Sequence, residues 1–465
     1  MVASELTRIL GPDKVLLDEA TRFARRRDFW VLSQLADVSG AQEPLPACVV
    51  RPSDLSDVVA VVNVCRTARA PLVPFGLGSG VCGGVLATAA SVVLDMSAMN
   101  RVREIDEHNL IAGFDAGVRG SDAESALGAR GLTLGHYPQS IGVSSVGGWV
   151  ATRAAGQFST AYGAIEDIVL ALEAVLPNGD VIQTRRTPRA SAGPDLRHLL
   201  MGSEGTLGVI TGVTLSVRRV REKRIGAAFH FPSMEAGFEA QREILQRGIE
   251  PPVLRQYDGI ESERMFPSYA RSGHCLLVLV HEGAAAKVDA EAALIEQIAR
   301  QGGGEPAAAE AAEHWLAERN HVPSFDQFFA NGVVLDTIEI AATWDKIGPI
   351  YRDALAGLGQ VPGMLAASAH SSHGYRSGLN LYFTFVARPA QRGDMKSTYL
   401  DCWRRVMRAT IQGGGGIAHH HGIGRIRREW LHAELGDGGL TLLRTVKRAL
   451  DPDNFMNPGA LIPED

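Results

Sequence analysis

The chain has 465 residues, 45% of them hydrophobic and 21% charged, enough apolar surface for two or three packed domains and too much for a disordered polypeptide. Its formal charge of −6 excludes the basic field that would hold nucleic acid or anionic lipid non-specifically. Glycine is over-used, at 51 of 465 residues, about 11% against a usual ~7%.

Residues 1–42 read as a helical preamble. Glu5 and Asp13 interrupt any signal-peptide-like run, no 18-residue apolar stretch occurs, and the closing ALIPED carries no retention or peroxisomal address. A cytoplasmic protein is expected. Cys48, Cys65, Cys82, Cys275 and Cys402 form no C-x-x-C pair, so neither a disulfide framework nor a zinc site is expected.

At Val49 a new rhythm begins. A β-run leads to Pro52-Ser53-Asp54 as a helix start, a helix from Leu55 to Ala68, and a buried strand Leu72-Val73-Pro74-Phe75. SVVLDMSAM and LIAGFDAGV read as short strands. VLALEAVLPNGDVIQT reads as a hairpin turning at Pro177-Asn178-Gly179-Asp180. This mixture predicts an α+β fold rather than a doubly wound sheet.

From about Glu222 the character changes. IGAAFHF and HCLLVLVHEG read as strands separated by the helix MEAGFEAQREILQRG. The tracts AAAKVDAEAALIEQIARQGG and GGGEPAAAEAAEHWLAERN read as one helix each, and DTIEIAA and LNLYFTFVAR as further strands. That order predicts a ferredoxin-like antiparallel-sheet cap. The expected divisions are 1–42, 43–222, 223–408, and a segment 409–465 that returns to the first domain.

Three small-residue loops stand out. In Pro74-Phe75-Gly76-Leu77-Gly78-Ser79-Gly80, glycines free the backbone to turn N–H groups toward an anion, although the string is not a G-x-G-x-x-G that opens a helix. The second is long and nearly uncharged: Pro138, Gln139, Ser140, Ile141, Gly142, Val143 and Ser144, continuing through Ala151, Thr152, Arg153 and Ala154. Such backbone can lie flush against a planar ligand. The third, Gly202-Ser203-Glu204-Gly205-Thr206-Leu207-Gly208-Val209-Ile210, runs into a strand.

Together these loops resemble the FAD domain of the vanillyl-alcohol-oxidase (PCMH-type) flavoproteins, and GSEGTLGVIT is among that family's most specific strings. The resemblance implies a two-part FAD-binding domain, with 43–222 and 409–465 contributing and 223–408 as the substrate or cap domain. The first loop is expected to hold the pyrophosphate and the second to line the flavin and ribityl. The third is expected to support the adenine side. Many members link flavin to a histidine just after the first loop; here that stretch reads GLGSGVCGG, so non-covalent FAD is expected.

The substrate side decides the branch. D-2-hydroxyacid dehydrogenases carry H-x-G-D-G-N-x-H, whose histidines bind a metal; this chain has no such pair, and no metal is expected. His373-Gly374-Tyr375 through Tyr382-Phe383-Thr384-Phe385, with HHHGIGRIRREWL, instead resembles the alkylglycerone-phosphate (alkyl-dihydroxyacetone-phosphate) synthase family. The dehydrogenases have a glutamate before HGIG, where this chain has His420.

The resemblance implies an exchange of the acyl chain of an acyl-dihydroxyacetone phosphate for a fatty alcohol through a flavin N5 adduct, as part of ether-lipid synthesis. Tyr382 and the tract His419-His420-His421 would be its acid–base groups, although adjacent histidines cannot all face one way. Arg255 and Arg319 align with the family's substrate-side arginines and suit an anion by bidentate hydrogen bonds, a surface ion pair being the plain alternative for either. An FAD-linked dehydrogenase or oxidase of a 2-hydroxy acid or alcohol stays open. The partner expected is a lipid-like, anionic small molecule and not a nucleic acid; peripheral membrane contact and a homodimer are left open.

Overall fold

Asp54 stands just ahead of an apolar-periodic run, and its carboxylate accepts the backbone N–H of Asp57 at 3.0 Å. The helix Leu55–Ala68 therefore starts where the capping residue predicts. The computed structural model describes residues 2–40 and 44–463; the boundary expected between 42 and 43, and the last two residues of ALIPED, lie outside the described residues. The chain forms two units, one of Met1–Ala155, Ala164–Arg219 and His420–Asp465, the other of Gly156–Gly163 and Val220–His419.

In the first unit the helix Leu55–Ala68 connects Cys48–Val50 to Leu72–Phe75, and both strands pair in parallel with Val92–Asp95 between them. All three are buried apart from half-buried Pro74, as a sheet covered on both faces requires. The preamble is not wholly helical: Val15–Leu16 adds an antiparallel strand beside Val49 and Val50. A second, antiparallel sheet runs Val102–Asp106, Ile111–Asp115, Val209–Ser216, Val169–Val175, Val181–Gln183. The hairpin expected at 177–180 joins its last two strands. Val209–Ser216 is central, so the third loop feeds directly into the middle of this sheet.

The second unit holds one antiparallel sheet in the order Glu305–Ala307, Lys223–Phe231, Cys275–Gly283, Val253–Tyr257, Met364–Ser371, Gly378–Ala387, Val334–Thr343. The helices Met234–Gln246, Ala285–Gln301, Trp344–Gly359 and Met395–Gln412 pack on it. It is larger than a single strand–helix–strand–strand–helix–strand module, because one such run and a second that ends at its second helix, without a closing strand, share one sheet. Three expectations need correction. The tract 302–320 is not one helix: Gly303 takes a positive φ of 83° and Pro306 sits in the edge strand Glu305–Ala307, so the helix begins only at Glu310. The helix Met395–Gln412 runs through the boundary expected at 408, and residues up to His419 belong to the second unit. Residues 156–163 group with the second unit as well.

Candidate active site

The three small-residue loops of the first unit pack on one another at positions that admit no side chain. A Cβ on Gly76 would stand 2.4 Å from Ser145 Oγ, and one on Gly205 would stand 2.8 Å from the Pro74 ring. The first loop is half-buried from Gly76 to Val81. Among the described residues, none of the backbone N–H groups of 76–81 donates a hydrogen bond to protein. Six consecutive donors without a protein acceptor, on a glycine-rich turn, could hold a diphosphate.

Carboxylates hold the loop from behind. Asp28 is buried and accepts the N–H groups of Trp30 at 3.1 Å and Val85 at 3.2 Å. Burial nevertheless raises its carboxyl to about 7. Glu204 accepts the N–H groups of Ile423 at 2.7 Å and Gly424 at 2.9 Å, tying the third loop to the segment after His421. Asn457 donates to the carbonyls of Gly84 and Glu204, at 2.9 and 2.7 Å.

Not every expected cofactor residue presents its side chain. Leu207, Val209, Ile210 and Ala154 lie in the unit's own core. The Thr206 hydroxyl donates to Ser203 O at 2.7 Å, and the Ser144 hydroxyl accepts the Trp149 indole N–H at 2.7 Å. Arg153 pairs with Glu166 at 3.0 Å. Gln139, Gly142 and Val143 are exposed. Toward a ligand the buried residues offer backbone and shape rather than side-chain chemistry.

In the second unit, strand register builds a column of rings. His370 lies opposite Tyr257 on one neighbouring strand and opposite Tyr382 on the other. Its ring stacks on both, with centroids 5.1 and 5.0 Å apart. His370 Nδ1 is 2.9 Å from Glu261 Oε1 and Nε2 is 3.0 Å from Arg255 Nη2. Arg255 Nε donates to the Tyr257 hydroxyl at 3.0 Å, and its guanidinium faces the Trp315 ring at 5.3 Å. Among the described residues nothing accepts from Arg255 Nη1, which leaves two N–H donors for an anion. Burial alone would raise the Glu261 carboxyl, but His370, Arg264 and Ser368 outweigh it and hold it below the ordinary carboxylate range.

Arg255 and Tyr382, both expected site residues, are thus linked through His370. Arg319 ends the helix Glu310–Glu318 that carries Trp315; its guanidinium lies over the Phe158 ring at 5.0 Å and its carbonyl accepts from Gln157 at 2.8 Å. His419 donates its backbone N–H to Glu339, its Nε2 is 2.6 Å from the Tyr375 hydroxyl, and its ring stacks on His373 at 4.9 Å. Buried His373 in turn meets the Ser159 hydroxyl at 2.6 Å. His420 and His421, in the first unit, lie ring edge to ring face at 4.6 Å.

His370, Glu261 and Ser159 were not anticipated. The only sequence signal for the first two was local: Asp258 heads a helix with Glu261 at its third position, and Arg255-x-Tyr257 repeats at strand period.

Unspent N–H donors on stacked glycine loops in one unit, and buried ion-pair and ring chemistry on the sheet of the other, fit a cofactor-binding enzyme of the PCMH-type flavoprotein fold. The chain belongs to the FAD-linked oxidase family: residues 46–185 match the FAD binding domain and residues 221–461 the C-terminal domain of FAD linked oxidases. It is similar to the uncharacterized FAD-linked oxidoreductase YgcU of Escherichia coli (strain K12), 34% identical over 99% of this chain and 98% of that one. It is also similar to alkyldihydroxyacetonephosphate synthase of Trypanosoma brucei brucei, 30% identical over 99% of this chain and 80% of that one. A solved alkyldihydroxyacetonephosphate synthase shares the fold, with a TM-score of 0.81 at 24% identity over 98% of this chain and 84% of that one. No helix among the described residues is long and apolar enough to cross a membrane.

The protein is therefore an FAD-dependent enzyme, and the cradle at 76–81 fits the cofactor's diphosphate. The flavin is expected to be dissociable. Residues 76–84 contain no histidine, and the Cys82 thiol is buried and takes an N–H from Arg427 at 3.0 Å. Acid precipitation should leave the yellow chromophore in the supernatant; flavin in the pellet would contradict a non-covalent site.

Proposed function

We propose that the enzyme exchanges the acyl chain of an acyl-dihydroxyacetone phosphate for a fatty alcohol. One observation carries the reading: Arg255 keeps two N–H donors for an anion while linked through His370 to the Tyr382 ring. The trypanosome synthase, similar along the whole of this chain, supports it.

In this reading residues 74–80, 138–144, 151–154 and 204–210 hold FAD, which when bound supplies an electron-accepting ring. Arg255 and Arg319 hold the substrate phosphate. The exchange breaks the C1–O bond to the fatty acid, which leaves as a carboxylate, and forms a C1–O bond to the alcohol, which gives up its proton. No electrons are gained or lost overall. Tyr382 takes or gives protons at the reacting carbon and oxygen, with His419, His420 and His421 as partners. A phenol of pKa ~10 is a poor base near neutral pH unless a neighbouring cation favours its anion, a part that nearby histidines or Arg255 could take.

A second reading, oxidation of a 2-hydroxy acid or an alcohol, is favoured by the name of the E. coli relative, an oxidoreductase. Anaerobic mixing separates the two. Simple hydroxy acids and alcohols should leave the oxidised flavin band unchanged; bleaching by any of them would favour the second reading.

A further inference from the structure

We infer that His370 is a positioning residue whose neutral form orients Arg255 toward an oxyanion and braces the Tyr382 ring, so that anion binding fails when the imidazole takes up a proton. The inference rests on the reading of Arg255 as an anion ligand.

Three neighbouring strands place Tyr257, His370 and Tyr382 directly opposite one another, and the rings stack as one column. Stacking fixes the imidazole plane, so its two nitrogens can reach only what lies at its edges. At one edge is Glu261, a carboxylate that only accepts; at the other is Arg255, a guanidinium that only donates. One protonation state satisfies both. The proton sits on Nδ1 and donates to Glu261, and Nε2 accepts from Arg255 Nη2. With that nitrogen engaged, and with Nε held by the Tyr257 hydroxyl, the guanidinium keeps its Nη1 N–H groups without a protein acceptor among the described residues.

A second proton on the ring would set N–H against N–H and cation against cation at Nε2. The groups that face the ring act in known directions. Glu261, on the helix Gly259–Met265, favours the imidazolium, whereas Arg255 on the strand Val253–Tyr257 and Arg264 on that helix oppose it. Tyr257 and Tyr382 cover its two faces, and Asp258 accepts the backbone N–H of neighbouring Ala369 at 2.6 Å. Burial depresses the imidazole below its ordinary value. The neutral form is therefore the resting one.

The test is sulfate binding to the FAD-loaded enzyme, followed by calorimetry from about pH 4 to about pH 8, a range over which sulfate keeps its charge and histidine changes its own. Wild type should lose affinity about tenfold or more on the acid side. Glu261→Gln removes the charge that favours the imidazolium, so its acid limb should move to lower pH. His370→Phe keeps a flat ring but offers no acceptor, so binding should be weak and independent of pH. Arg255→Ala should not bind at any pH, while the flavin spectrum reports a folded protein in every variant. A merely structural His370 would not shift the limb. Limbs that coincide in wild type and Glu261→Gln, or wild-type binding that is flat in pH, overturn the role of His370 and leave Arg255 standing. Binding by Arg255→Ala equal to wild type, or absent from both, overturns the Arg255 reading itself.

Discussion

Tyr382→Phe is expected to lower turnover by roughly 10²–10⁴-fold, the usual contribution of a positioned acid–base group, with the fold and flavin spectrum unchanged. Tyr382 lies mid-strand in Gly378–Ala387, paired with Glu339 on one side and His370 on the other. Phenylalanine keeps that pairing and the ring stack on His370, so only a hydroxyl is lost. A variant within about threefold of wild type would remove Tyr382 from the mechanism. Replacing the histidines singly should rank them, because their settings differ. His419 is held between Tyr375 and His373, whereas His420 and His421 face each other.

The next largest effect is expected at the arginines. Arg255→Ala and Arg319→Ala should each weaken turnover of a phosphorylated or carboxylated substrate, by the 1.5–3 kcal/mol typical of a hydrogen bond to a charged group, about ten- to 150-fold. Bound flavin should be retained. Arg255→Ala should also leave His370 Nε2 without its donor, so its loss should exceed that of Arg319→Ala, whose guanidinium rests on Phe158. Steady-state kcat/KM for each variant against substrate decides it. Wild-type values for both would make these surface arginines and rule out an anionic substrate.

How far the sequence could be read depended on whether a requirement was local. The helix after Asp54, the hairpin at 177–180 and the glycine loops each state their conformation within a few residues, and all appear in the structure. The alanine-rich tract misled because high helix propensity spoke for a single helix, while Gly303 and Pro306 diverted it into an edge strand. Arg255 and Tyr382 were legible from strings that resemble a family. His370 and Glu261 were not, because they meet those residues only through pairing between strands distant in the chain, which no local pattern encodes. The outward supply of N–H groups at 76–81 could be suspected from glycine spacing, but the carboxylates behind them, Asp28 and Glu204, come from distant segments.

The most direct test of the proposed chemistry is product analysis. FAD-loaded enzyme is incubated anaerobically, without an electron acceptor, with an acyl-dihydroxyacetone phosphate and a long-chain alcohol, and the lipids are separated by mass spectrometry. The expected result is alkyl-dihydroxyacetone phosphate with one fatty acid released per ether bond formed, and a flavin that ends oxidised. No ether product, together with a flavin bleached by a hydroxy acid or by the alcohol itself, would contradict it and make the enzyme an oxidoreductase.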